Sequence, residues 1–342
     1  APQTQMGKRG HVRIQGFRGG VGITLASLAV IVAACSSGGI ATSAPAGASA
    51  AETPSAAAAG DPTTDKLAQV KARGTLVLWT DPDYAPQSMK VDGATRAADT
   101  KCGPNEMTAP EMTGYDAETG KLVAAALGVE PCFVVTPFDA MIAGSWGDRY
   151  DVAWGSGAIT TDRMKRLYVT QPYYSTPASF FVNKDSTVTK PTGLSGKKIG
   201  VCSGCTHHSY LDRTLELPGT TIDFVVDNPD IVTFNTEIPG LEATAAGKLD
   251  AFLCSEPVGL AQIAKGQKLK ELATPAYFTN KTGYVDRDLT LAPGPFLDAV
   301  DKAVQDLHAS GKLKGLSMKF FDHDYATQAA AFDLATLDQT GS

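Results

Sequence analysis

The chain has 342 residues, enough for one large or two medium domains, and its 43% apolar and 19% charged side chains are ordinary for a globular protein. Lys and Arg number 30 against 36 Asp and Glu, but Lys8, Arg9, Arg13 and Arg18 precede Cys35 with no acid among them; without that segment 26 bases face 36 acids, a net charge of −10. So acidic a body argues against nucleic acid and against an anionic membrane surface as partners.

The N-terminus reads as a secretion signal. Its basic region precedes an apolar run, residues 21–34, of only 14 residues, too short for a bilayer core that needs about 20. The run ends Val32-Ala33-Ala34-Cys35-Ser36. Small residues before a cysteine resemble a bacterial lipobox, which implies cleavage before Cys35 and lipid attachment to its sulfur. A plain secretory peptide that happens to contain a cysteine is the alternative. Residues 1–5 precede Met6, which is expected to be the natural start. Residues 36–65 are almost all Ala, Gly, Ser, Thr and Pro. They cannot bury enough apolar surface to fold and read as a flexible tether with a reach of about 30 Å.

A short helix is predicted over 65–73, stopped by Gly74, and a β-branched strand over 75–80. The loop Asp81-Pro82-Asp83-Tyr84 follows that strand, where α/β proteins place ligand contacts; a proline-rich turn with solvated acids explains it as well. Residues 90–113 read as an irregular insertion holding Cys102. A helix opens at Gly114 and runs to about 127 with acids in its first turn, as the dipole prefers. A strand over 130–136 and a helix over 138–146 follow.

The stretch 148–174 carries most of the information. Residues 150–155 read as a buried strand and 156–161 as a polar, glycine-containing loop. Thr160, Thr161 and Asp162 can cap a helix start, which puts Arg163 in the first turn. The macrodipole disfavours a cation there. A bound anion would resolve the conflict, since guanidinium holds a carboxylate through two parallel bonds. A surface arginine paired with Asp162 or Asp148 accounts for it equally.

Residues 178–183 (ASFFVN) are echoed by 275–280 (PAYFTN), each followed by Lys. Two similar strands bracketing about 95 residues suggest two connections between two lobes, and so a hinge. The bracketed part gives a strand ending near Cys202, a strand over 221–226, a helix over 238–247, a strand over 249–254 and a helix over 256–266. An amphipathic helix over 297–310 follows, then Gly311-Lys312-Leu313 and 318–321.

The run YDVAWGSGAITTDRMKRLYVTQPYY, residues 150–174, resembles the signature of the family 3 periplasmic solute-binding proteins, the polar amino-acid receptors of ABC importers. A strand, a Ser/Gly loop, a Thr-x-x-Arg helix start and a paired-tyrosine close fall in the family's order. Asp81 and Tyr84 match its Asp-x-x-Tyr, whose tyrosine packs on ligand. Gly114-Tyr115-Asp116 resembles its first-lobe helix opening, and 194–211 its second-lobe strand and turn. The last helices resemble its closing pattern. The resemblance covers about 75–321. It implies an α/β, two-lobed periplasmic-binding-protein-like fold of type II, with two mixed sheets flanked by helices and a hinge of two crossover strands. Lobe 1 would be 66–180 and 279–342, and lobe 2 181–278.

It further implies a lipid-anchored, exported receptor, not an enzyme, that captures a small carboxylate solute, an amino acid or derivative, in the inter-lobe cleft and presents it to importer membrane subunits. A monomer without cofactor or resident metal is expected. The ligand-binding expectation comprises Asp81, Tyr84, Ser156, Ala158, Arg163, Cys205, Thr206, His207, Ser255 and Glu256. Arg163 and the turn at Thr206 would clamp one carboxylate between the lobes.

The chain departs from the family at two places. Ser255 stands where an Asp usually binds the ligand's α-ammonium, and a hydroxyl cannot replace a carboxylate for a buried ammonium. Either Glu256, Asp81 or Asp83 takes that role, or the ligand lacks a free α-amine. Ala158 replaces a serine.

An exported protein would oxidise most of Cys102, Cys132, Cys202, Cys205 and Cys254. Cys102–Cys132 is expected in lobe 1 and Cys202–Cys205 in lobe 2, with Cys202–Cys254 next. Two other functions remain open at this point. One is a cleft enzyme of the same fold, a dehydratase of cyclic acids with His207, Glu256 or Asp81 as acid or base. The other is a metal-binding or redox lipoprotein built on C-x-x-C-x-H-H.

Overall fold

The computed structural model describes residues 60–339. The expected signal 1–34, the lipidation candidate Cys35 and most of the expected tether lie outside the described residues. The tether's last residues are tied down. The Asp61 carbonyl accepts from the Thr64 and Asp65 amides at 3.0 and 2.8 Å, and the Ala292 amide donates to the Thr64 carbonyl at 2.8 Å. Asp65, expected inside the first helix, caps it instead. Its carboxylate accepts from the Ala68 amide at 2.8 Å, and the helix Lys66–Arg73 ends at Gly74 with φ 77°.

The strands read as continuous apolar runs because both faces are covered. Leu76 and Leu78 enter one core cluster with Tyr115, Trp154 and Phe296, while Val77 and Trp79 face a second with Tyr150 and Tyr284. Phe180 and Val182 likewise pack with Tyr210 and Leu253, and Phe181 with Phe252 and Leu241. This is period-two alternation expressed twice, once in each lobe.

At one end Thr75–Trp79 runs parallel to Glu130–Val134 and Val152–Ala158. At the other Lys198–Cys202 runs parallel to Asp230–Phe234 and Ala251–Ser255. Two ten-residue strands, Tyr174–Asn183 and Tyr277–Asp286, pair antiparallel between them, with Tyr277 opposite Ala178 and Lys281 opposite Tyr174. One also pairs with Ala251–Ser255 and the other with Val152–Ala158. The two expected sheets are therefore joined edge to edge through the crossing strands into one hydrogen-bonded path.

Several element boundaries differ from expectation. Residues 156–158 are strand, not loop, because Gly157 and Ala158 pair with Thr282 and Lys281. Residues 221–226 form no strand: Ile222, Phe224 and Val226 pack on the lobe-two core without a ladder partner. The strand is Asp230–Phe234, which takes the open edge of Lys198–Cys202. The insertion contains short strands, Met107–Thr108 and Met112–Thr113, and Ser88–Lys90 leads into it.

Disulfides join Cys102 to Cys132 and Cys202 to Cys205, and Cys254 is free and buried. No helix among the described residues is long and apolar enough to cross a membrane.

Candidate functional site

The carboxyl ends of the parallel strands of both lobes converge on one cavity of about 560 Å³, its open mouth included. In open α/β sheets that is where loops leave unpaired backbone and polar side chains for a ligand. Thr75–Trp79 delivers Trp79, Asp81 and Tyr84; Val152–Ala158 delivers Ser156, Ala158 and, beyond it, Arg163. From the other lobe, Lys198–Cys202 delivers Cys202, Cys205, Thr206 and His207, Asp230–Phe234 leads to Asn235, Thr236 and Glu237, and Ala251–Ser255 ends at Ser255.

Arg163 sits in the first turn of Thr161–Met164, and the Thr160 hydroxyl caps that turn by accepting from the Arg163 amide at 3.1 Å. Its side chain is 5% exposed. One nitrogen donates to the Tyr284 hydroxyl at 3.0 Å and to the Ala158 carbonyl at 3.4 Å; the other donates across the cleft to the Gly204 carbonyl at 3.2 Å. The guanidinium carbon lies 5.3 Å from the centre of the Phe138 ring, a cation–π distance. Asp162 pairs instead with Arg166 at 2.6 Å. The arginine is thus buried, held by neutral groups, and has no carboxylate partner among the described residues.

The wall beside it is unusually braced. Gly155 and Gly157 exist because a Cβ at either would enter the rings of Trp79 and Tyr284. Ser156 between them takes φ 58°, a conformation that costs a non-glycine residue about 1 kcal/mol or more and marks functional sites. Surrounding hydrogen bonds hold it there. The Ser156 amide donates to the Tyr173 hydroxyl at 2.9 Å, and that hydroxyl donates to Asp116 at 3.0 Å. The Ser156 hydroxyl reaches the other Asp116 oxygen at 2.5 Å and also contacts the Tyr174 hydroxyl. Burial pushes the Asp116 carboxyl up to about 7 against these hydrogen bonds. Burial likewise raises Asp81 to about 6, and its carboxylate accepts from the Asp83 amide at 3.0 Å.

The facing wall is looser. The disulfide Cys202–Cys205 encloses Gly204, whose φ of 66° turns its carbonyl toward Arg163. Thr206 opens a six-residue helix, Thr206–Leu211. Burial holds His207 below its usual pKa. A neutral ring accepts at Nδ1 from the Tyr277 hydroxyl, 2.6 Å away, and donates from Nε2 to Glu237 at 3.3 Å. Glu237 is 3% exposed and its other oxygen has no hydrogen-bond partner among the described residues. The Tyr84 hydroxyl crosses the cleft to the Ser255 hydroxyl at 2.9 Å.

Nine of the ten expected ligand-binding residues line the cavity. Glu256 does not. It lies one residue past the strand end, and its carboxylate turns away to the Tyr325 hydroxyl. Asp83 is exposed. Glu237 and Lys281 line the cavity without having been expected there. Among the described residues two donor groups lie within 4.8 Å, Cys102–Glu106–Cys132 and Cys202–His207–Glu237. Their sulfurs are tied in disulfides and offer no thiolate.

Residues 76–323 match the model of bacterial extracellular solute-binding proteins, family 3. The chain is similar to the L-cystine-binding protein TcyJ of Escherichia coli K12, 25% identical over 260 residues, covering 75% of this chain and 86% of that protein. It is also similar to the L-arginine-binding protein of Pseudomonas aeruginosa, 28% identical over 225 residues, covering 63% and 81%. Among solved structures, a mutant of ArgBP from T. maritima superposes with a TM-score of 0.61 at 21% identity, covering 75% of this chain and all of that one. The ancestral amino acid-binding protein AncCDT-1, a precursor of cyclohexadienyl dehydratase, does so with the same TM-score and identity.

Proposed function

The chain belongs to the bacterial extracellular solute-binding proteins, family 3, and from that premise we propose that it captures a small amino-acid-like carboxylate between its lobes and hands it to an ABC importer. One observation carries this reading. Arg163 is a buried cation with only neutral partners, and it bonds to both lobes at the cavity they share. A carboxylate entering there gains charge-assisted bonds in a site already desolvated, and draws the lobes together through Gly204. The relatives named for binding cystine and arginine point to the same solute class.

Glu237 is the group we assign to a ligand ammonium in place of Ser255, which is engaged by Tyr84. Cys35 as a lipid anchor, 66–180 with 279–342 as lobe 1, and 181–278 as lobe 2 complete the proposal. So does capture without turnover: burial, with the Asp83 and Glu237 charges adding to it, raises Asp81, and a binding site uses such a group as readily as a catalyst.

Calorimetry on the purified protein with a panel of amino acids and derivatives tests the reading. Micromolar binding is expected for at least one, and Arg163→Gln should weaken it by about 100-fold, the usual cost of removing one member of a buried charge pair. Unchanged affinity in a variant that still unfolds cooperatively would refute the site.

A further inference from the structure

Lys281 has no place in the account so far. It lies midway along Tyr277–Asp286, opposite Tyr174 on one side and Ala158 on the other. Its side chain is 3% exposed and lines the cavity. A strand lysine normally extends its ammonium to water, as Lys184 does after the matching strand, where it is exposed. Lys281 does not, because every residue from Lys281 to Asp286 on its strand is buried.

No hydrogen-bond acceptor or carboxylate among the described residues comes within bonding reach of its ammonium. The charges facing it come from three other elements. Glu237 and Asp116 attract it at longer range, and Arg163 repels it. Burial dominates and lowers its pKa to about 8, which still leaves it mostly protonated at neutral pH. An ammonium that faces the cavity without a partner from an otherwise buried side chain is destabilising. Two cations at one cavity, Arg163 and Lys281, disfavour each other, and Glu237, which the ligand ammonium is assigned to, offsets this only at longer range.

We propose that Lys281 receives a second acidic group of the solute, so that the ligand is a diacid of amino-acid type. Its α-carboxylate lies on Arg163, its ammonium at Glu237, and its side-chain acid against Lys281. This rests on the proposed function and narrows its ligand class.

Calorimetry with L-glutamate, L-aspartate, L-glutamine, L-asparagine, L-arginine and succinate tests it. The wild type should bind one of the two acidic amino acids at least ten times more tightly than its amide. Lys281→Met, which keeps the length and removes the charge, should lower that acid-to-amide ratio at least tenfold, and Lys281→Arg should restore most of it. Removing the unpaired charge should also raise the thermal midpoint of the ligand-free protein, by roughly 2–4 °C for each kcal/mol regained. Equal or tighter binding of amides or L-arginine by the wild type overturns the inference and leaves the proposed function standing. So does a ratio that Lys281→Met leaves unchanged. Absence of binding by every carboxylate overturns both.

Discussion

The two walls of the cavity are built to different degrees of completion. On the side of Ser156 and Asp116 the atoms that hold the strained backbone are paired with one another: amide to phenol, phenol to carboxyl, hydroxyl to carboxyl. On the side of Glu237 the counterpart carboxylate keeps one oxygen unpaired, and its histidine neighbour is neutral. A satisfied network fixes a shape, whereas an unsatisfied one waits for a ligand. The contrast teaches that one wall serves as the rest on which a solute lands and the other supplies what it completes.

The disulfides give the largest handle on this contrast, one per lobe. Cys102–Cys132 closes a loop with a separation of 30 residues and Cys202–Cys205 one of 3. Loop-closure entropy predicts a loss of about 4 kcal/mol on replacing the first pair with alanine and about 2 kcal/mol for the second. The second should nonetheless weaken ligand binding more, because its loop carries the Gly204 carbonyl that Arg163 uses. Urea unfolding and calorimetry on the two double variants check both statements; equal binding losses would break the distinction.

Asp116 comes next. Its carboxyl titrates near 7 in the folded protein and near 3.8 when unfolded. The stability that depends on its protonated form is complete below about pH 4 and is lost as pH rises toward 7. Asp116→Asn, which mimics that form, should gain on the wild type across this window by on the order of 4 kcal/mol and then level off. Thermal unfolding from pH 4 to 8 measures it, and a difference that stays flat with pH would mean the carboxylate is paired more strongly than its neighbours suggest.

The smallest effect is expected at Glu237. Changing it to Gln removes a buried charge, one oxygen of which has no partner among the described residues, so stability should rise, by about 1 kcal/mol. Affinity for an amine-bearing solute should fall roughly 10-fold to 30-fold, the cost of a charged hydrogen bond made neutral. Retained affinity would return the ammonium to Asp81.

The same division decided what could be read from the sequence. Much of the braced wall comes from one segment, 150–174, so Ser156, Thr160 and Arg163 announce themselves by spacing and by an arginine at the wrong end of a dipole, whereas Asp116 reaches it from a helix 40 residues before Ser156. The other wall is assembled from strand ends scattered over some 50 residues between Cys202 and Ser255. Glu237 looks there like an ordinary first-turn acid, and placing a strand at 221–226 hid that 235–237 follows one. Phe224 and Ile222 have the right residue types for a strand, but only the free edge of Lys198–Cys202 decides which segment pairs. Lys281 gave no local signal at all, since its burial arises from the neighbours of its strand and not from the strand itself. Cys102–Cys132 is expected from export and shared placement in lobe 1, and Cys202–Cys205 is favoured over Cys202–Cys254 because it would stiffen the turn at Thr206.

The edge-to-edge ladder of the two long strands has a consequence for cutting the chain. Cleaved at the exposed turn Lys184-Asp185, the protein would yield two fragments, each carrying one of those strands, with the pairing from Tyr277–Ala178 to Lys281–Tyr174 spanning the break. Such halves are held together by backbone bonds and a shared core rather than by a covalent link, which makes this turn a natural point for reassembling the molecule from separately expressed pieces.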